Sequence, residues 1–313
     1  MQLFVDGLAD QAERIGLPLE LIVVEWNPPA DRAPLASALR WQPSAQFQAQ
    51  IITVPGEIHE TFPHAKGLPL FQMIAKNVGI RRAHAPFILA TNIDILLSDE
   101  LFDFLKRGLK PNAMYRTDRR DVRVPFDRQP PPLPAECRLL PALRQHGLDG
   151  TRYPGGSAPR GAARRRRLSD LPGLALAAWD RIVLPKLHTS GCGDFTLTSR
   201  EVWASIHGYP EWPFYSWQLD GLPLFQAYAG GVEMINLEDP MVAIHFEHSE
   251  GSGWTPEGAA ALFGRLDAAG VPYLSTREYR ARARTIVRSG RGFQPINGPD
   301  WGLESVELET TCP

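Results

Sequence analysis

A chain of 313 residues can bury a sizeable core, as one large α/β domain or as a domain with an elaborated end. Its 33 Lys and Arg stand against 35 Asp and Glu, so no global charge argues for nucleic acid as a partner. Cys137, Cys192 and Cys312 are too few and scattered for a disulfide framework or structural zinc site, no run reaches the ~20 apolar residues of a membrane span, and the start lacks the basic residues of a signal peptide; the expectation is a reduced, cytoplasmic chain.

Leu3, Phe4, Leu8 and Ile15 give a helical stripe over residues 3–15, stopped by Gly16-Leu17-Pro18. Residues 20–25 read as a buried strand ending on Glu25, and residues 50–54 as a second strand closed by Pro55-Gly56. Residues 68–83 form a helix with Leu70, Ile74, Val78 and Ile80 inside, and Lys76, Arg81 and Arg82 outside or at its end. A strand at 87–91 follows at once, and its buried run turns polar at Asn92 and Asp94. This is the rhythm of βαβ units and a mostly parallel sheet. Such folds ordinarily open with a strand before the first helix. A first strand is therefore expected to be missing, leaving one edge of strand 20–25 without a backbone partner.

Residues 101–109 read as a helix and 113–116 as a strand. Over 121–170 the character changes: Pro130-Pro131-Pro132, Gly155-Gly156 and Arg164-Arg165-Arg166-Arg167 predict a poorly ordered insertion, with a short helix near 138–145. The arginine run is a solvated loop, or else a grip on phosphate or a peripheral contact with an anionic membrane surface. Beyond it come a turn around Gly191-Cys192-Gly193-Asp194, helices at 200–207 and 216–229, and strands at 232–237 and 241–246. Amphipathic helices at 255–269 and 276–287 precede a Gly- and Pro-rich tail from 290. The organisation read from this is one nucleotide-binding half (1–120), an insertion (121–170), a second half of the same domain (171–289) and a tail (290–313).

Four polar groups call for chemistry. Asn92 and Asp94, two positions apart past a strand end, point the same way on an extended backbone and suit a divalent cation that also holds phosphate; the alternative is an Asx turn, although Ser98-Asp99-Glu100 already caps the next helix. In Gly191-Cys192-Gly193-Asp194, two glycines permit close approach and Asp194 can accept from hydroxyls, or the glycines simply make a turn. Trp212 and Trp217 beside Asp220 suit a sugar ring and a general base, or Asp220 merely complements a helix dipole. At a helix start its pKa is expected to stay low. His245 and His248 flank Glu247 near a strand end and are candidate metal ligands or structural histidines.

The series Lys76-Asn77-Val78-Gly79-Ile80-Arg81-Arg82-Ala83, followed by Phe87-Ile88-Leu89-Ala90-Thr91-Asn92-Ile93-Asp94, resembles the nucleotide-sugar half of GT-A-type glycosyltransferases, in which an Asn-Xaa-Gly helix leads into a strand ending in Asp-Xaa-Asp. Gly193-Asp194-Phe195, Gly208-Tyr209-Pro210-Glu211 and Gln218-Leu219-Asp220-Gly221 are similar to the acceptor half of family-2-like and galactosyltransferase-like members. The resemblance spans residues 19–254 without the insertion. It implies a GT-A-like, Rossmann-like sheet and transfer of a sugar from a nucleoside diphosphate sugar to a saccharide or other hydroxyl, with inversion and with Mn2+ or Mg2+. Glu25 would contact the nucleoside, Asn77, Asn92 and Asp94 the donor, and Asp194, Glu211 and Trp217 the acceptor. Asp94 with His245 or His248 would hold the metal, and Asp220 would deprotonate the acceptor. Asn92 departs from the motif's first aspartate. The rival readings are a non-catalytic nucleotide- or sugar-binding protein and a metal-dependent nucleotide phosphohydrolase, for which the acids are dispersed.

Overall fold

The computed structural model describes residues 1–154, 183–247, 259–290 and 292–313. The arginine run, Trp254 and His248 lie outside them. The architecture is mixed α/β, with sheets of mixed strand direction flanked by helices. Helix α1 (Gln2–Ile15) ends on Gly16, whose left-handed φ of 70° closes the helix as only glycine does without strain. Strands β1 (Leu19–Trp26) and β2 (Phe47–Val54) pair in parallel, and β10 (Glu309–Thr311) from the tail adds to β2 antiparallel. This makes a three-stranded sheet. The larger sheet holds β3 (Phe87–Thr91), β4 (Ile95–Leu97), β5 (Ala113–Val122), the hairpin β6 (Arg144–Gly147) and β7 (Gly150–Arg152), β8 (Phe195–Ser199) and β9 (Glu233–Phe246).

The expected mostly parallel sheet is corrected here. Among the described residues only β1–β2 and β5–β9 run parallel, and every other ladder is antiparallel. The buried apolar runs that suggested parallel strands are buried because helices cover both faces, which mixed sheets also allow. β1 pairs only with β2 and β3 only with β8 among the described residues, so each keeps an open edge, as expected for β1.

Alternate residues send their side chains into two layers. Leu21 and Val23 of β1, with Ala113 and Tyr115 of β5, pack under α1 and α5 (Asp99–Lys106). Met114 of β5 and Ile88 and Ala90 of β3 pack instead under α4 (Gln72–Arg82), α7 (Arg200–Ile206), α8 (Leu222–Ala229) and α10 (Thr276–Arg288). α2 (Leu35–Ala38), α3 (Gly56–Glu60), α6 (Pro134–Arg138) and α9 (Ala259–Ala268) complete the helices that the described residues form. Ser98 caps α5 by accepting from Leu101 N at 3.3 Å, and Ser199 caps α7 by accepting from Val202 N at 3.2 Å.

Residues 121–154 are built into the fold, contrary to the expected insertion. β5 continues to Val122, Cys137 is fully buried, and the β6–β7 hairpin extends the sheet. The prolines break regular structure locally but leave these long-range pairings intact. The two expected strands at 232–237 and 241–246 are a single long β9, and the expected helix at 216–229 starts only at Leu222 after a 3-10 turn, Leu219–Gly221.

Candidate functional site

Strand register assembles one polar end of the larger sheet. Thr91 of β3 faces Phe195 of β8, which sets Asn92 beside Asp194. Ile95 of β4 faces His245 of β9, which sets Asp94 beside that imidazole. Asp121 of β5 faces His245 on one side and Arg144 of β6 on the other, and Arg119 faces His146.

The resulting contacts form a chain of alternating charge. His245 Nε2 lies 3.4 Å from Asp94 Oδ2, and its Nδ1 lies 3.2 Å from Asp121 Oδ1. Asp121 is fully buried and also meets Arg119 Nε at 2.9 Å, Arg144 at 2.9 Å and His146 at 3.1 Å. Arg119 reaches on to Asp194 at 2.6 Å, and Asn92 Nδ2 donates to the other oxygen of Asp194 at 2.6 Å. Burial alone would push the Asp121 carboxyl up, but its hydrogen bonds to His146 and His245 and the Arg119 charge hold it well below the usual carboxylate range. Burial likewise opposes the charged form of His245, yet Asp121 and Asp94 outweigh it and raise the imidazole to about 9.

A second centre lies around the turn before β8. Gly193 N–H donates to Asp220 Oδ2 at 2.8 Å, and the Lys76 ammonium from α4 donates to the Gly193 carbonyl. A Cβ on Gly193 would stand 2.9 Å from Asp220 Oδ2, so the close approach requires glycine. Burial raises the Asp220 carboxyl, against the opposing Cys192 thiol and Lys76 charge. The expected low pKa is thereby corrected: Asp220 sits in a 3-10 turn in dense protein, where desolvation exceeds any benefit from a helix end. Burial also pulls Lys76 down, against Asp194 and Asp220. Both charged forms are strained by lack of water, and each is the other's relief.

The remaining candidates divide. Asn92 does not share a ligand position with Asp94: its Oδ1 accepts from Gln72 Nε2 at 3.0 Å while its Nδ2 is on Asp194, because the backbone past Thr91 turns instead of staying extended. Asn77 is fully buried and staples α4 to the segment that follows α7. Its Nδ2 donates to Tyr209 O at 2.8 Å and Glu211 Oε1 at 3.0 Å, and its Oδ1 accepts from Tyr209 N at 2.8 Å. Glu211 also accepts from Gly302 N at 2.7 Å. The side chains of Asn77 and Glu211 thus hold chain segments together. Glu25 at the end of β1 accepts from Leu35 N at 3.0 Å. Trp217 packs edge-on against Phe263, with ring centroids 5.4 Å apart, and Trp212 carries the Arg282 guanidinium 4.8 Å over its ring.

Sequence reasoning placed Lys76 outside or at the helix end, which the structure corrects, and missed Arg119 and Asp121. Lys76 lies three residues after Met73 and four before Ile80, both buried, so helical spacing alone places it on the inward face. Asp121 carried a weaker signal. It continues the alternation Thr117, Arg119, Asp121 along β5, but the prolines that follow mask it.

Chemically, the site offers a desolvated carboxylate at Asp220, a cation beside it, and a separate Asp94–His245 pair. No group of three or more His, Cys, Asp or Glu side chains suited to a metal ion occurs among the described residues. No described helix is long and apolar enough to cross a membrane. In comparisons with known proteins, the chain matches no family model and no curated protein.

Proposed function

We propose that the chain transfers a sugar from a nucleoside diphosphate sugar to an acceptor hydroxyl, with inversion, on a GT-A-like scaffold. The observation that carries this reading is Asp220, half-buried, held by Gly193 N–H and raised in pKa by desolvation. A carboxylate tuned upward toward neutrality accepts a proton more readily, as a general base requires. Its neighbourhood supports the reading. The turn that holds it also carries Asp194, which stands beside Asn92 at the end of β3.

Asp94 and His245 would hold a divalent cation once the imidazole, raised to about 9 between its two carboxylates, has given up its proton to the metal. One oxygen and one nitrogen lie 3.4 Å apart, and the second nitrogen of the imidazole faces Asp121, the outer carboxylate that orients ligating histidines. A cation held by these two residues would supply neutralisation of the charge developing on the departing diphosphate. Asp220 takes the acceptor proton as the hydroxyl attacks the anomeric carbon from the face opposite the leaving group. Asp194, already engaged by Arg119 and Asn92, keeps the turn and the end of β3 in fixed relation.

The test is a panel of nucleotide sugars, with and without manganese, followed by NMR of the product's anomeric configuration. Inverted product with slow donor hydrolysis is expected. Asp220→Asn should bind donor normally and transfer about 10²–10⁴ times more slowly. A retained configuration, or transfer by Asp220→Asn at the normal rate, overturns the assignment of the base. Nucleotide binding with no turnover by any donor would leave a binding protein in its place.

A further inference from the structure

Asp220 is faced by Lys76 from α4, Arg116 from β5, Cys192 and Asp194 from the turn, Tyr209, and Tyr279 from α10. Two of these are cations, and they are used differently. Arg116 is almost wholly buried, and its guanidinium is spent on three oxygens: His188 O at 2.9 Å, Ser190 O at 2.8 Å and Thr196 Oγ1 at 3.2 Å. It holds the loop before β8. Among the described residues Lys76 has one oxygen partner, the carbonyl of Gly193, and its ammonium stands 5.8 Å from the centre of the Tyr209 ring. Gly193 is thus gripped twice, by Lys76 at its carbonyl and by Asp220 at its N–H. A Cβ on Gly193 would stand 2.9 Å from Asp220 Oδ2, so a side chain there would displace the carboxylate.

We propose that Lys76 is the positioning residue of the base: it fixes the Gly193 backbone that orients Asp220, and it supplies the counter-charge that lets Asp220 ionise without water. The proposal rests on the transferase reading for its consequence in catalysis, while the coupling between Lys76 and Asp220 rests on the Gly193 peptide that both hold. A lysine serves this place because the ammonium can both donate to the carbonyl and act as a compact charge. Lys76→Gln keeps a donor but no charge, Lys76→Met keeps neither, and Lys76→Arg keeps both in a different shape.

Carboxyl-carbon NMR of the full chain labelled at aspartate, with the Asp220 resonance assigned from Asp220→Asn, follows the titration directly. Removing an opposite charge at close range moves a carboxylate by about one pH unit or more. Lys76→Met and Lys76→Gln should therefore bind the Asp220 proton roughly tenfold more tightly than the wild type, and Lys76→Arg should return the midpoint toward it. The acidic limb of the transfer rate should move upward with the midpoint. If Lys76→Met does not fold, Lys76→Gln and Lys76→Arg make the same comparison.

An Asp220 midpoint that coincides in the wild type and Lys76→Gln overturns the proposal, even where transfer is found. A midpoint that moves as expected in a protein that transfers no sugar supports the coupling and sinks the transferase reading alone.

Discussion

Two carboxylates of this protein, the fully buried Asp121 and the half-buried Asp220, are solvated in opposite ways. Asp121 has traded water for four partners, Arg119, Arg144, His146 and His245, and its carboxyl is held well below the usual range. Asp220 has a backbone N–H, the Cys192 thiol and the charge of Lys76, and its carboxyl is raised by desolvation all the same. Full compensation makes a carboxylate a fixed structural charge. Incomplete compensation leaves it ready to take a proton. The contrast teaches that the number of partners, more than depth of burial, separates the hub from the base.

The largest expected effect comes from breaking the hub. Asp121→Asn leaves Arg119, Arg144 and His245 around a neutral amide, and removing one partner of a buried ion pair typically costs about 3–5 kcal/mol. The sign with pH follows from the lowered folded value. The stability that Asp121 contributes is complete above about pH 4, the ordinary carboxylate range, and is lost as pH falls through the folded value. Urea titrations between neutral pH and acid should show a steep loss in the wild type that the variant lacks. Equal slopes for the two proteins would remove Asp121 from the centre of the comparison.

Asp220→Asn tests the other side. A raised folded pKa contributes stability that is present below about pH 4 and lost as pH rises through the raised value, so at neutral pH the ionised group strains the fold. The variant should melt at the same temperature or higher at pH 7, while transfer falls by about 10²–10⁴. A marked drop in melting temperature would show that Asp220 is structural, as Asp121 is.

Asn77 separates a staple from a donor contact. Its amide makes three internal hydrogen bonds to Tyr209 and Glu211; Asn77→Ala leaves the buried Tyr209 N–H unpaired at about 1–3 kcal/mol, while Tyr209 O keeps Asn297 and Glu211 keeps Gly302. Calorimetry should then give unchanged nucleotide affinity in the folded variant. A weakened nucleotide with stability intact would place Asn77 against the donor, as the resemblance implies.

Much of the scaffold is legible in the sequence, because local signals specify it. Periodicity marks α1, β1, β2, α4 and β3, and Ser98 and Ser199 announce the caps they make. What is not legible depends on register between distant strands. Asp121 meets His245 across 124 positions because β5 and β9 run parallel, and nothing near Asp121 encodes that pairing. The same holds for the split into two sheets and for residues 121–154, where proline content outweighed the alternation of β5. Asp94 and Asp220 were visible as motif positions, but the raised pKa of Asp220 needed the Gly193 turn and Lys76 to be placed beside it.

The smallest effect is expected where the hub is redundant. Arg144 is one of four partners of Asp121, is 28% exposed, and also meets Glu247 at 3.0 Å. Arg144→Gln leaves Asp121 with Arg119, His146 and His245, so the carboxylate stays ionised and compensated. Partly exposed ion pairs of this kind are worth about 0–1 kcal/mol. Urea unfolding at neutral pH should therefore show a loss within that range, with the wild-type acid slope retained because Asp121 still titrates far below its unfolded value. A cost as large as that of Asp121→Asn would mean that a single arginine holds the charge. Asp121 and Asp220, each then leaning on one cation, would differ in degree and not in kind.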